Sequence, residues 1–323
     1  MRILHHRSDF RDSMRTLLAV AFTALLLAPM GAYGEGLTVW STARHQEDAG
    51  TFGGLTLALG NGTVDASASA EYNDLPNIVE VYTATWCMNC VTSEHAMHQA
   101  TEGLDAVLIH YHRHWFEIQD PFGSNSTEER WVAAYGESSK EAGAPERAAP
   151  TSVIDGQRMH TGSAPKGTSL VDDYSQSLSV GNRAWFMGGT IDFSVDFSDA
   201  TPSFTWNFDN LVFSCADDCP PQRTTPWILF VEDSANFEDG SNGLEDYLHV
   251  AHSAVQLEGT NGTAALDIPT AWDGEDMTAV LLIDWDIEHP PSPGIGSSLP
   301  AVGIASLLSM LAAVPLTRAS RQD

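Results

Sequence analysis

The chain has 323 residues, enough for two modest domains with targeting segments at its ends. Hydrophobic residues make up 43% of it and aromatic residues 9%, the composition of a globular protein with packed cores. A formal charge of -28, with Lys140 and Lys166 the only lysines, repels nucleic acid and anionic lipid headgroups, so no nucleic-acid partner is expected and a solvated extracellular setting fits better.

The first 34 residues carry Arg2, Arg7, Arg11 and Arg15, then an apolar run from Leu17 to Leu27, then small residues ending Ala32-Tyr33-Gly34. That layout predicts a secretory signal peptide over 1–34, which places the folded chain where disulfides persist. Residues 35–76 are rich in Gly, Ala and Thr, with short strand-like pieces, and form an N-terminal extension without an assignable role.

From Asn77 the order of elements is legible. A strand over Ile78–Thr83 leads into a helix over Cys87–Thr101, followed by a strand Ala106–His112 and a helix Thr127–Tyr135. A strand Thr151–Ile154 then turns through Asp155-Gly156 into Arg158–His160, and a helix Ser169–Leu178 closes the unit. Alternating strands and helices ending in a hairpin predict an α/β unit with a mixed sheet flanked by helices.

Trp86-Cys87-Met88-Asn89-Cys90 sits where the first strand turns into the first helix. A helix starting at Cys87 leaves its first N–H groups unpaired, and their partial positive charge stabilises a thiolate there. Cys87 is therefore the predicted nucleophile, and Cys90, one turn along, the thiol that resolves a mixed disulfide on it. A zinc half-site would need a second pair at matching spacing, and the remaining cysteines, Cys215 and Cys219, lie in a different compositional region.

Histidines surround this motif in sequence. His110, His112 and His114 alternate along a strand, so they share a face near the cysteine edge; the favoured reading is a solvated or hydrogen-bonded strand end, with His112 a neighbour of the site. The alternative is a soft-metal site for copper shared with Cys87. His95 and His98 follow Cys90 on the helix and are expected at the surface, because two and a half turns separate His98 from Cys87. No metal ligands and no cofactor are assigned.

The strand Val79-Glu80-Val81-Tyr82 before Trp86-Cys87, together with Pro150-Thr151 sixty residues after Cys90, resembles the thioredoxin superfamily over residues 77–178. The resemblance implies a cis-Pro150 beside the cysteine pair that offers backbone groups to an extended substrate. It also implies that Glu80, buried under the pair, relays a proton to the second cysteine. Met88-Asn89 between the cysteines is neither Gly-Pro nor Pro-His, so no redox direction is carried over. The strand Ala106–His114 followed by Asp120-Pro121-Phe122 is similar to secreted surface members of the outer-membrane-protein type, which carry an appended β-rich domain.

Residues 180–289 alternate in Thr190–Phe197, Phe204–Phe208 and Val280–Asp286, with turn signals between, which predicts an all-β, sandwich-like domain. Cys215 and Cys219 are expected to close a structural disulfide in one of its turns. A Pro/Gly/Ser linker over 290–298 precedes an apolar segment, 299–317, with Arg318 and Arg321 behind it. This reads as a transmembrane helix or a processed sorting signal, giving the membrane as a partner and the extracytoplasmic cell surface as the location. The expected activity is thiol-disulfide exchange with protein thiols or disulfides; the alternatives are a non-enzymatic adhesion protein on the same scaffold and a copper-handling protein.

Overall fold

A computed structural model of the chain describes residues 38–288, except 46–47, 61, 63, 115–119, 183, 216–219 and 275. The first part supplies strands β1 (Ser41–Thr42), β2 (Ala49–Ala58), β3 (Ala66–Glu71), β4 (Asn77–Thr83) and β5 (Ala106–His112), with helix α1 (Met88–Thr101) between the last two. Helix α2 (Asn125–Trp131) continues through a π-helical turn, Val132–Gly136, into α3 (Glu137–Glu141). Then come β6 (Thr151–Ile154), β7 (Arg158–Thr161) and α4 (Leu170–Leu178). The remainder is strand: β8 (Phe186–Gly188), β9 (Thr190–Asp196), β10 (Ser203–Asn207), β11 (Val212–Phe213), β12 (Gln222–Asn236), β13 (Asp246–Gln256), β14 (Asn261–Ala265) and β15 (Met277–Ile287).

The fold is β-rich and built on one large mixed sheet in the order β1-β7-β6-β4-β5-β13-β12-β15-β2. β5 runs parallel to both β4 and β13, and the other neighbours are antiparallel. This sheet crosses the division expected near residue 179, because β13 pairs directly with β5, Val250 opposite His110. The N-terminal extension has a structural role that its composition hides. β2 forms the far edge of the large sheet, and β3 the edge of a second, antiparallel sheet ordered β14-β10-β9-β3.

Alternation along the strands decides what each face buries. Ile78, Tyr82, Ile109 and Tyr111 point to one face and pack with Trp131 and Tyr135 and with Leu229, Val231 and Leu282. On the other face Val79, Val81 and Ile154 pack under Met97 and Ala100 of α1 and Tyr174 and Leu178 of α4. Farther along the sheet, Phe52, Ile228, Phe230 and Leu281 meet Phe193, Phe204 and Trp206 of the second sheet. Each such fully buried side chain contributes roughly 1.5–3 kcal/mol relative to exposure.

Local chemistry explains the joints. α2 starts at Ser124, whose hydroxyl accepts from the Thr127 N–H while the Thr127 hydroxyl accepts from the Ser124 N–H, a reciprocal cap. The β6–β7 hairpin turns through Asp155 (φ 53°) and Gly156 (φ 64°), a left-handed pair closed by the Gln157 N–H donating to the Ile154 carbonyl at 3.0 Å. The Asp155 carboxylate also accepts from the Ile78 N–H at 2.9 Å and pairs with Arg158, fastening the hairpin to β4.

One expectation is corrected. No helix among the described residues is long and apolar enough to cross a membrane, so a membrane partner reached through a C-terminal helix is not supported. Segment 299–317, on which that expectation rested, lies outside the described residues, as do the signal-like residues 1–34 and the linker 290–298.

Candidate functional site

Cys87 is the N-cap of α1, in extended backbone conformation, and its sulfur accepts from the Cys90 N–H at 3.2 Å. The two sulfurs are bonded to each other, with Cα atoms 5.3 Å apart. Cys87 is 7% exposed and Cys90 fully buried, so any partner reaches Cys87 first. The pair packs in a small apolar cluster with Ala84, Trp86 and Ala149. Ala149 precedes the buried Pro150 through a cis peptide bond, so the turn into β6 lies against the sulfurs. Around this cluster Met88, 65% exposed, and Asn89 face solvent, while the Arg113 guanidinium sits 5.3 Å over the Trp86 ring.

The buried face of α1 carries Cys90, Ser93, Glu94, Met97 and Thr101, the i, i+3, i+4 stripe of a helix laid on a sheet. That period puts Glu94 one turn beyond Cys90 on the same face, with Cβ atoms about 5–6 Å apart. Burial pushes the Glu94 carboxyl up, opposed by the Thr83 hydroxyl, which donates to it in a short hydrogen bond, and by His112 and His95. A carboxyl held this way exchanges protons nearer neutrality than a surface one.

Beside it the Asp120 carboxylate gathers three groups. It accepts from the Thr85 N–H at 2.8 Å and the Phe122 N–H at 3.2 Å, and His112 Nδ1 lies 3.0 Å away. The carbonyl of Thr85 is held by the β12–β13 connection and the start of β13. Ser241 N–H donates to it at 3.0 Å, Asn242 N–H at 3.1 Å and the Tyr247 hydroxyl at 3.3 Å. Gly240 permits this approach, since a Cβ there would stand 2.0 Å from the Tyr247 hydroxyl. The segment that delivers Cys87 is thus clamped by residues more than 150 positions away.

The structure brings Cys87, Cys90, Trp86, Ala149–Pro150 and His112 together and leaves Glu80 out. Glu80 falls on the Ile78/Tyr82 face of β4, opposite α1. Its carboxylate accepts from the Tyr111 hydroxyl at 2.6 Å, from Tyr135 in a short bond, and from Arg130 at 3.3 Å. Strand alternation is the physical reason, since Val79, Val81 and Thr83 are the β4 residues that look towards the cysteine-bearing helix. Glu94 is the buried carboxyl on the cysteine-bearing side of the sheet, and the signal for it in the sequence is an acidic residue at Cys90 plus four. His114 lies past the end of β5, so the three alternating histidines do not form one set. Cys215 is disulfide-bonded, and Cys219 lies outside the described residues.

No protein-family model matches the chain, and no curated protein matches it. Similar solved structures include a structural-genomics protein of Agrobacterium tumefaciens, 13% identical with a TM-score of 0.40, the match covering 67% of this chain and 96% of that one. Another is HBP35 of Porphyromonas gingivalis, 16% identical with a TM-score of 0.36, covering 65% of this chain and 63% of that one.

Proposed function

We propose that this chain is an extracytoplasmic thiol-disulfide oxidoreductase whose residues 77–178 form a thioredoxin-like unit, with protein thiols or disulfides as partners. The observation that carries the reading is the bonded Cys87–Cys90 pair at the start of α1, with one sulfur at the rim and the other sealed. In the reducing direction the Cys87 thiolate attacks one sulfur of a substrate disulfide, forming a mixed disulfide and releasing the other substrate sulfur as a thiolate. Cys90 then loses its proton to Glu94 and attacks Cys87. The substrate leaves as a dithiol, two electrons having passed to it, and the protein returns to the bonded pair. The oxidising direction is the same sequence in reverse.

Helix placement lowers the Cys87 thiol relative to an ordinary cysteine, because the N–H groups of the first turn favour its charged form. The Cys90 N–H already directed at that sulfur is the local part of this field.

Trapping tests the reading. A Cys90→Ala chain should accumulate disulfide-linked adducts with other secreted proteins, visible as species that collapse on reduction, whereas a Cys87→Ala chain should form none. If neither variant traps anything and the wild type does not catalyse reduction or oxidation of a model disulfide protein, the fold serves as a non-enzymatic scaffold.

A further inference from the structure

Three histidines unused by the thiol chemistry meet where the two halves of the large sheet join. His98 lies in the last turn of α1, His110 in β5, and His249 in β13 next to the Val250 that pairs with His110. Their ring centroids are 5.6 Å apart for His98 and His249, 5.7 Å for His110 and His249, and 6.2 Å for His98 and His110. His110 is 3% exposed, and its Nε2 is buried with no hydrogen-bond partner. Leaving such a nitrogen unsatisfied costs about 1–3 kcal/mol, so its persistence at a meeting point of imidazoles calls for a function. His249 adds a second sign, a left-handed φ of 55° that is uncommon for a residue with a side chain and is concentrated at ligand clamps.

We infer that His98, His110 and His249 form a binding site for a first-row divalent cation of the zinc class, which braces α1 against the β5–β13 joint. Neutral imidazole is the ligating form of histidine, and the unpartnered Nε2 of His110 is the donor the other two rings stand beside.

Zinc–nitrogen bonds of about 2.0–2.1 Å in tetrahedral geometry put imidazole centroids roughly 5 Å apart. Among the described residues no three His, Cys, Asp or Glu side chains already stand at ligating distance from one point. The three rings must therefore close by about 0.5–1 Å, within reach of side-chain torsions, and it is the ion that draws them in. His98 and His249 are only half-buried, so a fourth position opens to water. Eleven helical residues, roughly 16 Å, separate His98 from Cys87, so the ion and the sulfurs are independent sites.

Isothermal titration of the whole protein with zinc chloride at pH 7.5, the disulfides intact, tests this. One equivalent should bind, and His98→Ala, His110→Ala and His249→Ala should each weaken it on the order of 100-fold. His95→Ala, on the exposed side of the same helix, should leave binding unchanged, as should Cys87→Ser combined with Cys90→Ser. If the buried His110 variant does not fold, the two half-buried positions decide. Absence of stoichiometric binding, undiminished binding in the His98 or His249 variant, or binding only after the cysteines are reduced would overturn the assignment.

Discussion

The two faces of β4 hold two buried carboxylates in opposite circumstances. On one face Glu80 is enclosed by Arg130, Tyr111 and Tyr135, and Arg130 goes on to Asp284 of β15 at 2.7 Å. Arg44 reaches the same Asp284 at 2.7 Å, closing a charge network that ties the β4 face to β15. Burial alone would raise Asp284, but Arg130 and Arg44 hold it well below the usual carboxylate range. On the other face Glu94 accepts from the Thr83 hydroxyl and has no arginine or lysine paired with it among the described residues, and burial raises it. A buried carboxylate gripped by a cation and by hydroxyl donors holds structure. An unmatched one beside a thiol can change its charge, and that is what proton transfer requires.

The largest effect comes from breaking the matched face. Arg130→Met leaves Glu80 buried without its cation and takes one of two from Asp284, which should destabilise the fold by about 3–5 kcal/mol. Urea denaturation reads it directly. Pairing the substitution with Glu80→Gln should recover part of the loss, because the stranded charge is then gone. Glu80→Gln alone should leave the rate of thiol exchange unchanged in whatever fraction stays folded; a loss of exchange comparable to that of a cysteine variant would return the proton-relay role to Glu80.

The local frame around this contrast is legible in the chain, but the contrast itself is not. The strand-to-helix junction at Trp86-Cys87, the Asp155-Gly156 turn and the elements from Asn77 to Leu178 follow from local period and punctuation, and they lie within a few residues of their expected ends. Glu80 was misplaced because proximity in sequence to Cys87 says nothing of which side of a strand a residue takes. What no local pattern holds is pairing at a distance. β2 reaches β15 across more than 200 residues, and Tyr247 reaches Thr85 across 162, so the continuity of the sheet and the clamp on the cysteine segment exist only in three dimensions.

That clamp gives the intermediate effect. Gly240→Ala places a methyl group 2.0 Å from the present position of the Tyr247 hydroxyl, which must then leave the Thr85 carbonyl. Overpacking of this kind costs about 1–3 kcal/mol. The loosened segment should also make Cys87 of the reduced protein react faster with iodoacetamide, measured by mass spectrometry, while Arg130→Met leaves that rate alone. Equal labelling in the two variants would show that the β12–β13 connection does not govern access to the sulfur.

Glu94→Gln should change stability least and chemistry most. Glutamine keeps the shape and the Thr83 contact, so the stability difference at neutral pH should be about 1 kcal/mol or less, and in favour of the variant. The sign follows from the direction of the shift. An acid whose carboxyl is raised in the folded protein binds protons more tightly there than in the unfolded chain, so ionising it opposes folding at pH values above the raised pKa. As the pH falls through that value towards the ordinary 4.5, the penalty fades, and below it the carboxyl is protonated in both states. Wild type should therefore gain on the glutamine variant as acid is added, then run parallel to it. Exchange kinetics supply the second readout. Positioned proton transfer is worth on the order of 10²-fold or more, and Glu94→Gln should slow the step in which Cys90 displaces substrate while leaving the first attack by Cys87 nearly untouched. The contrast with Glu80→Gln, which should be silent in both steps, makes the measurement specific. A resolving step of wild-type speed in the glutamine variant would mean that Glu94 is merely buried and that Cys90 gives its proton to solvent, and a pH-independent stability difference would mean that burial does not raise its carboxyl.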